Sequence, residues 1–214
     1  MNTWQSILAA SNSTPKRVSR KVFFSFHYTP DVHRAWVVRN SWVTKEDRTE
    51  AGFFDSSVFE AKQRESKDAL KTFLRDGMKG TTVTCVLIGS QTAVRPWVRY
   101  ELVRAFERGN GLFGIRIHNI KNLQKVTTTS GPNPFDHLAY RVEGERVYWQ
   151  ERNGENWAAY TEVPSMALSD VAYDLKGELH HTFSYRFPVY DWVNEDGFNN
   201  LGAWVQEAAT HAGK

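Results

Sequence analysis

Short apolar runs rich in β-forming residues alternate with amphipathic segments through the first half of the chain. The runs typical of strands buried on both faces lie at 21–26, 83–88 and 112–117. Helical spacing of apolar residues occurs at 31–40, 61–78 and 96–108. This alternation implies parallel strand pairing with right-handed crossovers. The pattern therefore predicts an α/β fold with a doubly wound, mainly parallel sheet of the flavodoxin-like type.

Individual residues mark the ends of these elements. Asp31 can cap the first helix, and Pro96 suits the first position of the third. Gly52-Phe53-Phe54 is a further candidate strand. Gly89-Ser90 closes the strand at 83–88 and leads towards the helix at Pro96.

The alternation stops after about residue 121. Two apolar segments, 146–150 and 157–160, flank Asn153-Gly154, a strong signal for a β-hairpin. A short strand at 188–192 and a helix at 200–209 then restore the earlier pattern. We therefore predict a loosely ordered lead-in at 1–19 and a single domain at 20–214. The domain carries a hairpin-containing elaboration at about 122–184, for which the sequence indicates no chemistry.

Composition narrows the class of protein. The chain has 214 residues, of which 41% are hydrophobic and 14% aromatic, enough to bury one core. The net charge is only +3, and the Lys and Arg residues are spread along the chain, which argues against a nucleic-acid partner. A lone cysteine, Cys85, can form no internal disulfide, and the N-terminal residues do not form a signal peptide or membrane span. We expect a cytoplasmic protein with no membrane partner.

Topology predicts where a site should lie. In a flavodoxin-like sheet of order 2-1-3-4-5, ligands bind beyond the carboxyl ends of the first and third strands. The first strand ends at Ser25–Tyr28, and the helix at Pro96 follows the third. Glu101 lies one turn into that helix, with Trp97 four residues earlier on the same face. A carboxylate and an aromatic ring presented together suit a ligand with a flat ring and a sugar.

The residues alone leave plainer interpretations open. Glu101 lies within helical reach of Arg95, Arg104 and Arg108, as in many solvated ion pairs. Trp97 is also compatible with a core position, and His27 with an ordinary histidine at a strand end.

Motifs of several other enzyme classes are absent from the sequence. His180-His181 has no further ligands at the usual spacing, so no metal site is predicted. Neither a Walker A nor a Gly-x-Ser-x-Gly motif occurs, which argues against P-loop and hydrolase folds.

The segment Trp97-Val98-Arg99-Tyr100-Glu101-Leu102 resembles the Trp-Cys-x-x-Glu-Leu motif of TIR domains. Segments 24–28, 38–40, 80–89 and 190–192 resemble the ThsB branch of TIR-like proteins, which acts in Thoeris antiphage defence. The resemblance spans roughly residues 20–120 and resumes at 188–209. Val98 replaces the usual cysteine, and residues 44–60 do not resemble the usual TIR loop. Substrate closure and self-association are therefore left open.

The resemblance implies an enzyme in which Glu101 is catalytic. It implies that NAD⁺ is the substrate and not a redox cofactor, and that no cofactor or metal is needed. The product would be a cyclic ADP-ribose isomer that activates a separate effector, and a phage-derived trigger is left open. Our candidates for substrate-binding residues are Phe26, His27, Tyr28, Ser90, Trp97, Arg39 and Asn40. The alternative functions are a non-catalytic TIR-like interaction module and a nucleotide-binding sensor.

Overall fold

Strands and helices alternate along the chain as the hydrophobic pattern predicts. The computed structural model describes residues 20–44, 48–51, 56–175 and 179–214, with the backbone alone at 48–51 and 56–58. The lead-in predicted for 1–19 and the candidate strand at 52–54 lie outside these residues. The described elements are β1 (Arg20–Phe26), α1 (Tyr28–Val43), β2 (Arg48–Ala51), α2 (Ser56–Glu65), α3 (Lys67–Gly77), β3 (Val83–Ile88), α4 (Pro96–Glu107), β4 (Gly111–Arg116), β5 (Leu138–Glu143), β6 (Arg146–Asn153), β7 (Asn156–Ala159), β8 (Met166–Ala167), β9 (His180–Thr182), α5 (Phe183–Arg186), β10 (Val189–Asp191) and α6 (Gly197–His211).

The central sheet has five strands in the order β10-β4-β3-β1-β2. Every pair in this sheet is parallel, and Phe24 of β1 lies opposite Cys85 of β3. With β10 as the fifth strand, this is the order 2-1-3-4-5, so the predicted flavodoxin-like fold is confirmed. The carboxyl ends of β1 and β3 therefore lie side by side.

Helices cover both faces of this sheet, which explains why its inner strands β1, β3 and β4 are mostly apolar. On one face, Phe23 packs in a cluster with Leu74 of α3 and Leu102 of α4. On the other face, Phe24 packs in a cluster with residues of α1 and α6. Because side chains alternate along a strand, Ser25 shares the face of Phe23 and points towards α4.

Several helix boundaries differ from the sequence prediction, and two of the differences concern Ser66 and Asp31. The single helix predicted at 61–78 is two helices, because Ser66 has an extended backbone and its Oγ accepts a hydrogen bond from the Ala69 N–H. Asp31 does not cap α1, because the helix begins at Tyr28 with His27 as its N-cap residue. Asp31 instead lies in the first turn and is buried.

A second, antiparallel sheet with strand order β7-β6-β5-β9 follows the first four central strands, and β8 pairs with β6. The predicted hairpin is confirmed: β6 and β7 pair up to Asn153 and Asn156, and Gly154 adopts the positive φ of 61° that the turn requires. Phe106 of α4 attaches this sheet to the core. Its ring centroid lies 4.8 to 5.9 Å from those of Tyr140, Trp149, Tyr173, Phe183 and Phe187.

Ion pairs also join the second sheet region to the helices beside the central sheet. Arg99 Nη1 of α4 lies 2.7 Å from Glu151 Oε2 of β6. Lys67 and Lys71 of α3 both contact Glu162, at 2.5 and 3.0 Å. The second sheet therefore helps to hold α3 and α4 in place. Within the described ranges, no helix combines the length and the apolar character needed to cross a membrane.

Candidate active site

A cavity of about 330 Å³ opens at the carboxyl end of β1, between α2 and the first turns of α4. Its apolar walls are aromatic and come from three parts of the chain: Phe24, Phe26, Tyr28, Phe59 and Trp97. The rings of Phe26 and Tyr28 stack with their centroids 5.3 Å apart. A pocket with such walls suits a flat ring, and its volume lies at the lower end of the usual range for ligand pockets.

Polar residues of α1, α2 and α4, and the residues that precede α1 and α4, line the same cavity. They are His27, Thr29, Glu60, Gln63, Arg95 and Glu101. Aromatic walls with a few convergent polar groups are typical of a small-molecule site.

The carboxyl group of Glu101 is buried, with the residue only 6% exposed. Its Oε2 accepts a hydrogen bond from the Ser25 hydroxyl of β1. No ion pair to Glu101 occurs among the residues that the structure describes, and Arg104 pairs instead with Glu107. The solvated ion pair that the sequence left open is therefore wrong.

Burial also changes the protonation of Glu101. Removal from water raises the pKa of Glu101 to about 8, and the hydrogen bond from Ser25 acts in the opposite direction. A pKa shifted by burial inside a cavity is a common property of catalytic carboxyl groups. In the free protein at neutral pH, the carboxyl is mostly protonated.

His27 lies at the junction of β1 and α1. Burial and the nearby positive charge of Arg95 lower the pKa of His27 to about 4, so its imidazole is neutral at physiological pH. Its Nδ1 is buried and has no hydrogen-bond partner among the described residues. The cavity thus holds a neutral imidazole that a ligand hydroxyl could approach.

The structure brings together five of the eight residues that the sequence suggested: Phe26, His27, Tyr28, Trp97 and Glu101 all line the cavity. Ser90, Arg39 and Asn40 are not among its lining residues. The loop at Gly131 packs against the backbone of Ser90, with no room for even a Cβ at Gly131. This loop therefore covers part of the carboxyl end of β3.

Arg39 and Asn40 lie near the other end of α1. At a rise of 1.5 Å per residue, Arg39 is about 16 Å along the helix axis from Tyr28, which lines the cavity. The guanidinium of Arg39 lies 4.5 Å from the ring centroid of Trp36, and its Nη1 donates a hydrogen bond to the Asn40 side chain. Their suggested contact with substrate stays a prediction that the geometry does not support.

Comparison with known proteins identifies a family whose match lies within the region of resemblance at roughly residues 20–120. The family model of the TIR-like domain of Thoeris protein ThsB matches residues 23–122. ThsB1 from Bacillus cereus (strain MSX-D12), named as a candidate cyclic ADP-D-ribose synthase, is 41% identical over 192 residues. The match covers 88% of this chain and 100% of the relative. This chain belongs to the ThsB family of TIR-like proteins.

The match to the ThsB family contains the whole described lining of the cavity, from Phe24 to Glu101. The resemblance read from the sequence is therefore confirmed at the level of the family. The second sheet lies beyond the family model but within the span of the B. cereus relative.

Sequence analysis missed several residues of the site in this ThsB-family protein. Ser25 carried a signal, since it is a polar residue inside an apolar strand run. Phe59 and Glu60 gave none, because they fall in the region 44–60 without resemblance to the usual TIR loop. Gln63 gave none either, because it is one of many polar residues in the helix predicted at 61–78. Arg95 was considered only as an ion-pair partner of Glu101.

The described side chains were also compared with the ligand sets that bind metal ions. Among them, no group of three or more His, Cys, Asp or Glu residues could hold a metal ion. His181 stacks on Tyr185, with ring centroids 4.2 Å apart, and His180 lies edge-on to Trp157. Both histidines are thus in aromatic contacts of the second sheet region.

Proposed function

We propose that this protein cleaves NAD⁺ at the bond between nicotinamide and ribose and releases a cyclic ADP-ribose-type signal in Thoeris antiphage defence. The observation that carries the proposal is the buried carboxyl of Glu101 inside an aromatic-walled cavity. The name of the B. cereus relative supports the same reaction. A non-catalytic interaction module would give no reason for a glutamate at this position to be withdrawn from solvent.

The first chemical step breaks the C–N glycosidic bond. The bonding electrons leave with nicotinamide, which departs as a neutral molecule, so the leaving group needs no general acid. Positive charge develops on the ribose as the bond breaks. An ionised carboxylate beside the sugar stabilises this oxocarbenium-like state, as carboxylates do in glycoside cleavage.

The substrate itself promotes ionisation of Glu101. The nicotinamide ring of NAD⁺ carries a positive charge, and a cation within a few ångströms lowers the pKa of a carboxyl group. Binding therefore favours the carboxylate that the free protein holds mostly protonated. Glu101 is thus suited to act once substrate has displaced water from the cavity.

The second step forms a C–O bond at the same ribose carbon. A hydroxyl group of the same molecule gives the cyclic product, whereas water gives linear ADP-ribose. In both cases the attacking oxygen loses a proton, and the Glu101 carboxylate and the neutral His27 imidazole are the titratable groups of the described cavity lining suited to accept it. Exclusion of water by the aromatic walls favours the cyclic product.

A comparison of two glutamates on one helix tests the proposal. Purified protein is incubated with NAD⁺, with and without lysate of phage-infected cells, and nicotinamide and the ADP-ribose products are quantified. Lysate without the protein corrects for other NAD⁺-consuming enzymes. We expect Glu101→Gln to reduce nicotinamide release by about 100-fold or more, as for loss of other electrostatic catalytic groups.

Glu107→Gln is the matched control, since Glu107 lies on the same helix and pairs with Arg104 outside the cavity lining. It should change release less than twofold. No release by the wild-type protein under either condition, or equal release by Glu101→Gln, contradicts the proposal. The separate effector, a phage-derived trigger and self-association remain predictions that the same assay can address with added components.

A further inference from the structure

The proposed substrate carries charges of both signs, and the cavity contains a residue suited to each. The nicotinamide ring is positive and faces Glu101 in the proposed reaction, while the diphosphate is negative and requires a cation. We infer that Arg95 binds the diphosphate of the substrate. This inference rests on the proposed function and names the residue that orients NAD⁺ in the site.

Arg95 lies at a suitable position relative to Glu101. The two residues are six positions apart, or about 9 Å along the helix axis, and both line the cavity. In NAD⁺ the diphosphate is attached to the 5′ carbon of the same ribose whose 1′ carbon reacts. A ribose whose 1′ carbon lies beside Glu101 therefore carries its diphosphate away from the reacting bond, towards another part of the cavity lining.

The guanidinium of Arg95 has no carboxylate partner among the described residues, unlike those of Arg99 and Arg104 in α4. Arg99 pairs with Glu151 and Arg104 with Glu107, but Arg95 forms no ion pair within the described part of the chain. Its Nη2 donates to the neutral side chain of Gln91 at 2.7 Å, and its Nε–H is buried without an acceptor. A buried N–H without an acceptor is unfavourable, and a phosphate oxygen beside the guanidinium would relieve this cost.

The charge of Arg95 acts on the inside of the cavity. Together with burial it lowers the pKa of His27, which lines the same cavity at the end of β1. Among the described lining residues, Arg95 is the one side chain with a positive charge at neutral pH. Glu60 also lines the cavity, but its charge is partly balanced by Arg64 at 3.4 Å.

The size of the cavity agrees with a substrate that is only partly enclosed. A volume of about 330 Å³ suits a nicotinamide ring and its ribose, which leaves the adenosine half at the cavity mouth, within reach of the reacting ribose carbon when the molecule folds back. Arg95 is half-buried, so it contacts both the interior and the solvent side. The diphosphate would thus bind where the enclosed and the open parts of the substrate meet.

Binding measurements in a protein without turnover test the inference directly. With Glu101→Gln as the parent, the Kd of NAD⁺ and of nicotinamide riboside, which has no phosphate, are measured by calorimetry. We expect added Arg95→Ala to weaken NAD⁺ binding by about 10- to 100-fold, the loss of a charge-assisted hydrogen-bonded pair. Binding of nicotinamide riboside should change less than twofold, and Arg95→Lys should recover part of the loss for NAD⁺.

Two other arginines provide controls, with thermal unfolding as the check that each variant folds. Arg108→Ala removes the same charge from the exposed C-terminal end of α4, and Arg75→Ala removes it from an exposed position of α3 outside the cavity lining. Both should leave the Kd of NAD⁺ within twofold of the parent. A folded Arg95→Ala or Arg95→Gln variant that binds NAD⁺ like the parent overturns the inference, as does equal weakening for nicotinamide riboside. If the parent does not bind NAD⁺ and the wild-type protein does not cleave it, the proposed function fails as well.

Discussion

The Ser25 hydroxyl donates a hydrogen bond of 2.5 Å to Oε2 of Glu101 and thereby joins the end of β1 to α4. Both residues are buried, and they are 76 positions apart in the sequence. Burial raises the pKa of Glu101, and this hydrogen bond favours the ionised form. Ser25 therefore affects how much of the proposed catalytic carboxylate exists at a given pH.

Removing this hydroxyl should shift the pH dependence of NAD⁺ cleavage. The ionised Glu101 is the active form, so kcat/KM should rise with pH through the pKa of about 8 in the free protein. In Ser25→Ala, loss of the hydrogen bond raises this pKa, and the midpoint moves to higher pH. Rates measured between pH 6 and pH 10 check this.

Ser25→Thr retains a hydroxyl and should keep the midpoint close to the wild-type value. A purely structural role of Ser25 predicts lower rates at every pH with the same midpoint. An unchanged or lowered midpoint in Ser25→Ala would contradict the assignment.

The difference in stability between Glu101→Gln and the wild-type protein should increase with pH in favour of the variant. In the unfolded chain a glutamate loses its proton near pH 4.5, but the folded protein holds the proton up to about pH 8. The stability associated with that proton is therefore complete below about pH 4.5 and is lost as pH rises to about 8. Glutamine has no such proton to lose.

The melting temperature of Glu101→Gln should consequently rise relative to wild type between pH 5 and pH 8 and level off above pH 8. Thermal unfolding of both proteins in the same buffers measures the difference. A difference that is constant over this range would mean that the folded state does not raise the pKa of Glu101.

The sequence predicted β1, β3, β4 and β10 of the central sheet because each lies in a short, mainly apolar segment. It did not predict β2, because the residues Arg48–Ala51 form no apolar run. Runs such as 83–88 are apolar on both faces, as is typical of parallel strands that helices cover on both sides. The end of α4 could also be predicted from neighbouring residues, since Gly109 and Gly111 interrupt the helical spacing there. The break between α2 and α3 was missed because Ser66 fits either a helix interior or a cap, and only its extended backbone decides which.

The candidate site was predictable in part. Glu101 and Trp97 could be placed by helix periodicity and family resemblance, but the burial of Glu101 depends on contact with Ser25 from a distant strand. Ser90 was expected in the cavity from the topology of the sheet alone. The loop at Gly131, which packs over Ser90, belongs to a region without a recognisable pattern, so no sequence rule could have indicated it.

Gly89 and Asp31 should show strong energetic coupling. A Cβ at Gly89 would overlap the carboxylate of Asp31, which is fully buried and has no hydrogen-bond partner among the described residues. Gly89→Ala alone should therefore destabilise the protein by about 1–3 kcal/mol through overpacking. Asp31→Ala makes room for the added methyl group, so the double variant should be more stable than the sum of the single effects predicts.

Chemical denaturation of the four proteins in this cycle measures the coupling. Gly111→Ala is a matched control, because its added Cβ would meet the backbone of Ala208 and not Asp31. Its effect should add to that of Asp31→Ala. Additive effects for Gly89 and Asp31 would show that the carboxylate does not occupy the space beside Gly89.

Trp97 should influence which product the enzyme makes. Its half-buried ring forms one wall of the cavity and lies edge-on to Tyr100, with centroids 6.2 Å apart. Trp97→Ala opens this wall to water, and water then competes with the hydroxyl of the same substrate molecule for the ribose carbon. We expect the ratio of linear to cyclic ADP-ribose, measured by chromatography and mass spectrometry, to rise severalfold, and Trp97→Phe to stay closer to wild type. Trp157→Ala removes an indole from β7, outside the cavity lining, and should leave the ratio unchanged. The same ratio in Trp97→Ala and wild type would mean that this wall does not control access of water to the reacting carbon.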